Sequence, residues 1–95
     1  MAAIGVLTLE LRIEDAHSLK EKRHVVKSLK DRLRHKFNVS VAEIGDQDLH
    51  NSAVIAVALV SPSRAFGAKV LQSVEDEAAA QLGQALVRTN IEWVC

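Results

Sequence analysis

From Ala53 to Val60 the chain runs Ala-Val-Ile-Ala-Val-Ala-Leu-Val, eight apolar residues with no polar interruption. The run is far short of the roughly 20 residues a membrane helix needs. It is bounded by turn-forming segments, His50-Asn51-Ser52 and Ser61-Pro62-Ser63. A short, β-branched apolar run between turn signals reads as a buried strand. Successive side chains alternate, so Ala53, Ile55, Val57 and Leu59 share one face and Val54, Ala56, Ala58 and Val60 the other. One face meets helices. The other is wet in an isolated monomer, and an exposed apolar patch of that kind marks an interface. The expectation is a homodimer or higher homo-oligomer joined through this open sheet face.

The remaining elements assemble around that strand. Leu7, Leu9, Leu11 and Ile13 alternate with Thr8, Glu10, Arg12 and Glu14, a half-buried strand. Ile4 and Val6 fall in the opposite phase, which predicts a bulge or twist near Gly5. Ser18-Leu19-Lys20-Glu21 fits a capping box, and Leu19, Val26, Leu29, Leu33 and Phe37 follow helical spacing. Val39 and Val41, then Ala42 and Ile44, predict a strand that forms a hairpin with Ala53–Val60 across the turn-rich Gly45–Asp48 and His50–Ser52 segments. Ser61-Pro62-Ser63 opens a second helix, with Pro in its first turn. Val70, Val74, Ala78 and Leu82 form its expected buried stripe, and Gly83 its stop. Gly67 costs that helix about 1 kcal/mol relative to Ala, which close packing explains. Val87, Thr89, Ile91 and Trp93 alternate with Arg88, Asn90 and Glu92 in a last strand. The order β-α-β-β-α-β is the split βαβ pattern of a ferredoxin-like α+β sandwich. Right-handed crossovers place two helices on one face of a four-stranded antiparallel sheet. Residues 1–95 leave room for one domain.

The chain holds 12 Lys+Arg and 12 Asp+Glu, a formal net charge of zero. That total hides a segregation. Lys20 to Lys36 carry eight cations and two anions, a net of +6, and the remainder carries −6. At about 100° per residue, Lys20, Arg23, Lys27, Lys30 and Arg34 share an arc about 80° wide beside the apolar stripe. Like charges three and four residues apart cost a few tenths of a kcal/mol each. Cations in the first turns also oppose the helix dipole. Stability alone does not choose this arrangement, so an external anion is a reasonable explanation. Lys22 points toward the apolar arc, where it snorkels at the helix edge. The first turn is a candidate phosphate turn, with free N–H groups after Ser18, the cations Lys20, Lys22 and Arg23, and His17 just before.

Other constellations carry less. His17, His24, His35 and His50 lack a metal-ligand spacing, and only His24 and His35 share a helical face, three turns apart. Asp46, Asp48 and Glu43 have the chemistry of a Mg²⁺ site but sit where a charged hairpin turn is expected. No Gly-rich phosphate loop follows a strand, and no Ser/His/Asp arrangement is present. The sheet lacks the aromatics that RNA-binding sheets of the RRM type use, so any RNA meets the helix. The lone cysteine, Cys95, permits no intramolecular disulfide. With no signal-peptide pattern in Met-Ala-Ala-Ile-Gly, the expected compartment is the cytoplasm. No catalytic residue, metal or cofactor is expected, and no membrane association.

Val6–Ile13, His17–Arg23, Val25–Leu29, Phe37–Glu43 and Asp46–Leu49 resemble the YlxP-like family of small bacterial proteins, classed as a domain of unknown function. The stretch His-Ser-Leu-Lys-Glu-Lys-Arg is the most specific part. The resemblance implies a ferredoxin-like fold. Its members often lie near genes for translation initiation and ribosome maturation, an associational pointer to RNA, and it supplies no catalytic residues. The leading expectation is a non-enzymatic module that binds structured RNA or a ribosomal particle through Lys20, Lys22, Arg23, Lys27, Lys30 and Arg34. The alternatives are a structural protein whose basic patch pairs with acidic surface on another subunit, for example around Glu75-Asp76-Glu77, and a binder of a small phosphate-bearing ligand.

Overall fold

The computed structural model describes all 95 residues. Strand β1 (Ala3–Arg12) leads into helix α1 (Leu19–Lys36), followed by the hairpin strands β2 (Ser40–Gly45) and β3 (Ser52–Ser61). Helix α2 (Arg64–Leu82), a single 3₁₀ turn (Gly83–Ala85) and β4 (Leu86–Trp93) complete the chain. The sheet order is β2-β3-β1-β4, and every neighbouring pair is antiparallel. The order of elements is the one the sequence pattern predicts.

The two apolar strands, β1 and β3, sit in the middle. Each puts one face into the core: Leu7, Leu9 and Leu11 of β1 with Ala53, Ile55, Val57 and Leu59 of β3 are buried against Val26, Leu29 and Leu33 of α1 and Leu71, Val74 and Ala78 of α2. No bulge occurs at Gly5. β1 runs in unbroken register past it, with Gly5 opposite Leu59 on one side and Trp93 on the other. Gly5 holds a core-facing position because the Trp93 ring fills the space a side chain would take: an added Cβ would lie 2.8 Å from Trp93 Cζ3 and 2.9 Å from Leu71 Cδ1. Ile4 and Val6 therefore belong to the open face. Gly67 has a similar cause, with Leu59 Cδ2 at 2.9 Å and Trp93 Cη2 at 3.0 Å from the place of its missing Cβ.

The bulges lie on the edge strands instead. Between β3 and β2 the register shifts at Ile44, and between β1 and β4 it shifts at Val87. Each is the extra residue, and each is more than half exposed. Bulges twist edge strands away from edge-to-edge pairing. The bulge also removes Val87 from the buried phase and gives its place to Leu86, which pairs with Leu11.

Two expectations for α2 need correction. Ser63, rather than Pro62, starts the helix: its Oγ accepts from Phe66 N at 3.1 Å, and Pro62 precedes the cap. The buried stripe is Gly67, Leu71, Val74 and Ala78, with Val70 and Leu82 only half-buried at its flanks. The missing side chain at Gly67 lets this face of α2 lie directly against Leu59, Ser61 and Trp93. Gly83 ends α2 with φ +56°.

Candidate nucleic-acid interface on the first helix

Ser18 begins α1 as its N-cap, its Oγ accepting from Glu21 N at 3.2 Å. Core positions 26, 29 and 33 dock the helix on the sheet, and two flanks result. One faces α2: Gln81 Nε2 donates to Ser28 Oγ, Arg32 Nε donates to Glu77 Oε2 at 3.0 Å, and Lys36 Nζ bonds Glu77 Oε1. The other faces the edge strand β2, where Arg34 Nη2 donates to Val41 O at 2.6 Å.

Lys22 does not snorkel. Its side chain is 1% exposed. The ammonium donates to Asp46 O at 2.5 Å and to Leu49 O at 2.7 Å, and it faces Glu43 Oε2 at 2.9 Å. That carboxylate oxygen receives no well-directed hydrogen bond, so the contact is an ion pair. Glu43 points inward because the β2 register pairs it with the buried Ile55. The turn presents its carbonyls because Asp46 takes φ +60°, with Leu49 N donating to Asp46 O at 3.0 Å. A buried ammonium is stable only when paired and hydrogen-bonded in this way. Lys22 thus ties the hairpin turn to α1, and its charge is spent inside the protein. The acidic turn is met from within by this ammonium, with Glu43 turned toward Lys22 and Asp46 offering its backbone rather than its carboxylate.

The other cations singled out by the pattern lie on the surface. Lys27 pairs with Asp31 at 2.7 Å, both exposed. The hydrogen bond from Lys27 is the main reason the Asp31 carboxyl is held below its ordinary range, with the charges of Lys27, Arg34 and Lys30 adding to it. Lys20, Arg23 and Lys30 have no acceptor within the protein. Together with Lys27 and Arg34 they form a row on the side of α1 nearest β2. Arg32 and Lys36, on the opposite flank, are neutralised by Glu77, whose carboxyl is held below its ordinary value first by Lys36 and then by Arg32. The acidic segment around Glu77 is therefore engaged by the same chain. Nothing in the sequence pairs residues 41 and 45 positions apart, and only the helix packing does so.

The candidate phosphate turn is less favourable than its cations suggest. Ser18 Oγ is occupied by Glu21 N, and Ser18 and Lys20 line a shallow depression of about 610 Å³ together with Asp15, Glu21 and His24. An anion there meets two carboxylates. His17 is exposed and does not line it. His50 does not line it either, although its Nδ1 lies 3.0 Å from the carbonyl oxygen of Ala16, which does.

No helix of the chain is long and apolar enough to cross a membrane. Among solved structures, the de novo designed protein Foldit4 superposes with a TM-score of 0.62 at 8% identity, covering 100% of this chain and 98% of that one. The de novo designed LFR1 1, with a ferredoxin fold, gives 0.53 at 9% identity, covering 99% and 84%. At such identities these likenesses show the ferredoxin-like fold alone. In sequence, the chain is 48% identical over 71 residues to the uncharacterized protein YlxP of Bacillus subtilis (strain 168), covering 75% of this chain and 77% of that one. The family model described as a protein of unknown function, DUF503, matches residues 4–91, and the chain belongs to that family.

Proposed function

We propose that α1 carries a non-enzymatic docking surface for the phosphate backbone of structured RNA, free or within a ribosomal particle. The observation that carries this reading is the row Lys20, Arg23, Lys27, Lys30 and Arg34 along one flank, three of them without a partner in the protein. Lys22, which the sequence pattern grouped with them, is not part of the surface. Five cations on one line suit phosphates that position a partner without reading its bases. If all five meet phosphates, log K falls with log salt at a slope approaching roughly −4. The test is RNA retention between low and moderate salt for the wild type and for the double reversal Arg23→Glu/Lys30→Glu. The expected result is at least about a ten-fold loss of affinity with unchanged circular dichroism. Retention indifferent to both salt and the reversal would overturn the reading.

A second reading stands on a different surface. Ile4 and Val6 of β1, Ala42 of β2 and Val54, Ala56, Ala58 and Val60 of β3 make the side of the sheet that no helix covers, and Val60 is 69% exposed. This face suits a second copy of the chain. The free, exposed thiol of Cys95 fits a reducing, cytoplasmic setting.

A further inference from the structure

We infer that two copies of the chain pair antiparallel along their β4 strands, centred on Asn90, and so join their sheets into one. This edge is separate from the basic row of α1 and from the open sheet face. Backbone direction shows what it offers. Val94 N donates to Ile4 O at 2.7 Å, so the peptide groups of Ile4 point toward β4. Direction alternates along a strand, and Val6, Thr8 and Glu10 therefore exchange bonds with Glu92, Asn90 and Arg88. The N–H and C=O groups of Thr89 and Ile91 point the other way, out of the sheet's edge, where no strand lies.

The two edges of the sheet differ. On β2 the outward carbonyls of Val41 and Glu43 are both covered: Arg34 Nη2 donates to the first at 2.6 Å and Gln47 Nε2 to the second at 3.1 Å. Val41 is also buried there. On β4 no residue is buried, although Thr89, Ile91 and Trp93 lie in the core-facing phase. β4 contains neither Pro nor Lys, residues that commonly blunt an exposed edge. Its bulge at Val87 protects only the start of the strand and leaves Arg88–Trp93 in regular register.

The side chains of that regular stretch select the occupant. A two-fold pair is self-complementary: residue i opposite j requires j opposite i. Residues of the same backbone direction pair, so the antiparallel registers open to β4 are those centred on a residue. Centring on Asn90 sets Arg88 against the partner's Glu92 and Thr89 against the partner's Ile91, each twice, with Asn90 on the partner's Asn90. Thr89 and the partner's Ile91 then exchange their free backbone bonds. Arg88 and the partner's Glu92 fall at the non-hydrogen-bonded positions, where side chains approach most closely. A centre at Arg88 or at Glu92 stacks like charges. A centre at Thr89 draws the bulged Val87 into the ladder, and a centre at Ile91 sets Glu92 against the partner's Asn90 and carries Arg88 past the strand end. Within one chain the Glu92 carboxylate meets only Asn90 Nδ2, at 3.5 Å, and Arg88 meets only Glu10, Nε to Oε2 at 3.4 Å. The two-fold axis stands perpendicular to the sheet, so the helices of both copies share one side. The basic rows of α1, beside β2, then lie at the outer ends, clear of the interface.

Sedimentation equilibrium and amide hydrogen exchange on the full chain test this. The expected wild type is a dimer in which the amides of Thr89 and Ile91 exchange freely on dilution and become protected as concentration rises. Arg88→Glu and Glu92→Arg each convert both charge pairs into like-charge pairs, and each should weaken self-association about ten-fold or more, while the double swap restores it. Glu92→Arg leaves the Glu10–Arg88 contact intact, and circular dichroism checks the fold of each variant. A dimer whose Thr89 and Ile91 amides stay unprotected overturns the edge pairing and leaves the open-face reading standing. Equal self-association in the wild type and both single variants overturns the Asn90 register. A wild type that is monomeric at about 100 µM, or whose two amides are protected only by an added extended peptide, overturns a second copy as the occupant.

Discussion

Replacing Lys22 with Met isolates the chemistry of the buried ammonium, because Met keeps most of the apolar stem and removes the charge. The substitution strands Glu43, whose side chain is only 17% exposed, and takes the donor from the carbonyls of Asp46 and Leu49. Removing one partner of a buried ion pair costs about 3–5 kcal/mol. Asp46 and Leu49 are exposed residues, so water replaces the lost hydrogen bonds at little cost, and Glu43 regains some solvent. The low end applies, about 3 kcal/mol. For a domain of this size that corresponds to a fall in Tm of roughly 12–24 °C. Urea and thermal unfolding followed by circular dichroism measure it. Lys22→Met/Glu43→Leu should recover more than half of the loss, since no charge is then left buried. If Lys22→Met lies within about 1 kcal/mol of the wild type, the ammonium is not a structural tie and the reasoning fails.

Gly5→Val places a good strand former in a central strand, yet its side chain enters the space of the Trp93 ring and Leu71, and a loss of about 1–3 kcal/mol is expected from urea midpoints. Unchanged stability there would mean that Trp93 is not packed against the strand. Glu77 has a folded-state carboxyl value below its ordinary one, so its contribution is complete above the ordinary glutamate range and fades as pH falls through the folded value. The stability gap between wild type and Glu77→Gln should therefore be constant near neutrality and close on the acid side of that range. A gap that does not vary with pH refutes the Arg32–Glu77–Lys36 assignment.

The element order was legible because each segment obeys one period: two in Leu7–Ile13, 3.6 in Leu19–Phe37, and none in the doubly apolar Ala53–Val60. What escaped was set by packing between distant elements. Gly5 reads locally as a break in the pattern, but its cause is an aromatic ring 88 residues further on, brought alongside by strand pairing. Val70 and Leu82 fit a helical stripe as well as Gly67 and Leu71 do, and only contact with Leu59 and Trp93 selects between them. Lys22 is the sharpest case. Its position on the helix pointed to the apolar side, which is correct, but a lysine there has two fates. It snorkels unless the fold brings acceptors to it, and here they come from the β2 register and a positive-φ turn some 24 residues away.

The same structure separates the cations of α1 that stability explains from those it does not. Lys22, Arg32 and Lys36 each meet a carboxylate. Arg34 holds a strand carbonyl, and Lys27 has Asp31. Arg23 and Lys30 hold no acceptor and lie three and four residues from other cations, at 20, 27 and 34, with only the charge of Asp31 beside Lys30 as an offset. Converting both to Gln, whose helix propensity is close to theirs, relieves four like-charge contacts of about 0.2–0.5 kcal/mol each. It also removes an adverse charge from near the helix N-terminus. The double variant should therefore be about 0.5–1.5 kcal/mol more stable than the wild type by urea unfolding at low salt, with the gain shrinking as salt rises. RNA retention should fall in the same protein. Opposite movements of stability and binding are the mark of charges kept for a partner. A variant that loses stability instead would place Arg23 and Lys30 among the structural cations, and the basic row would then need no external anion to account for it.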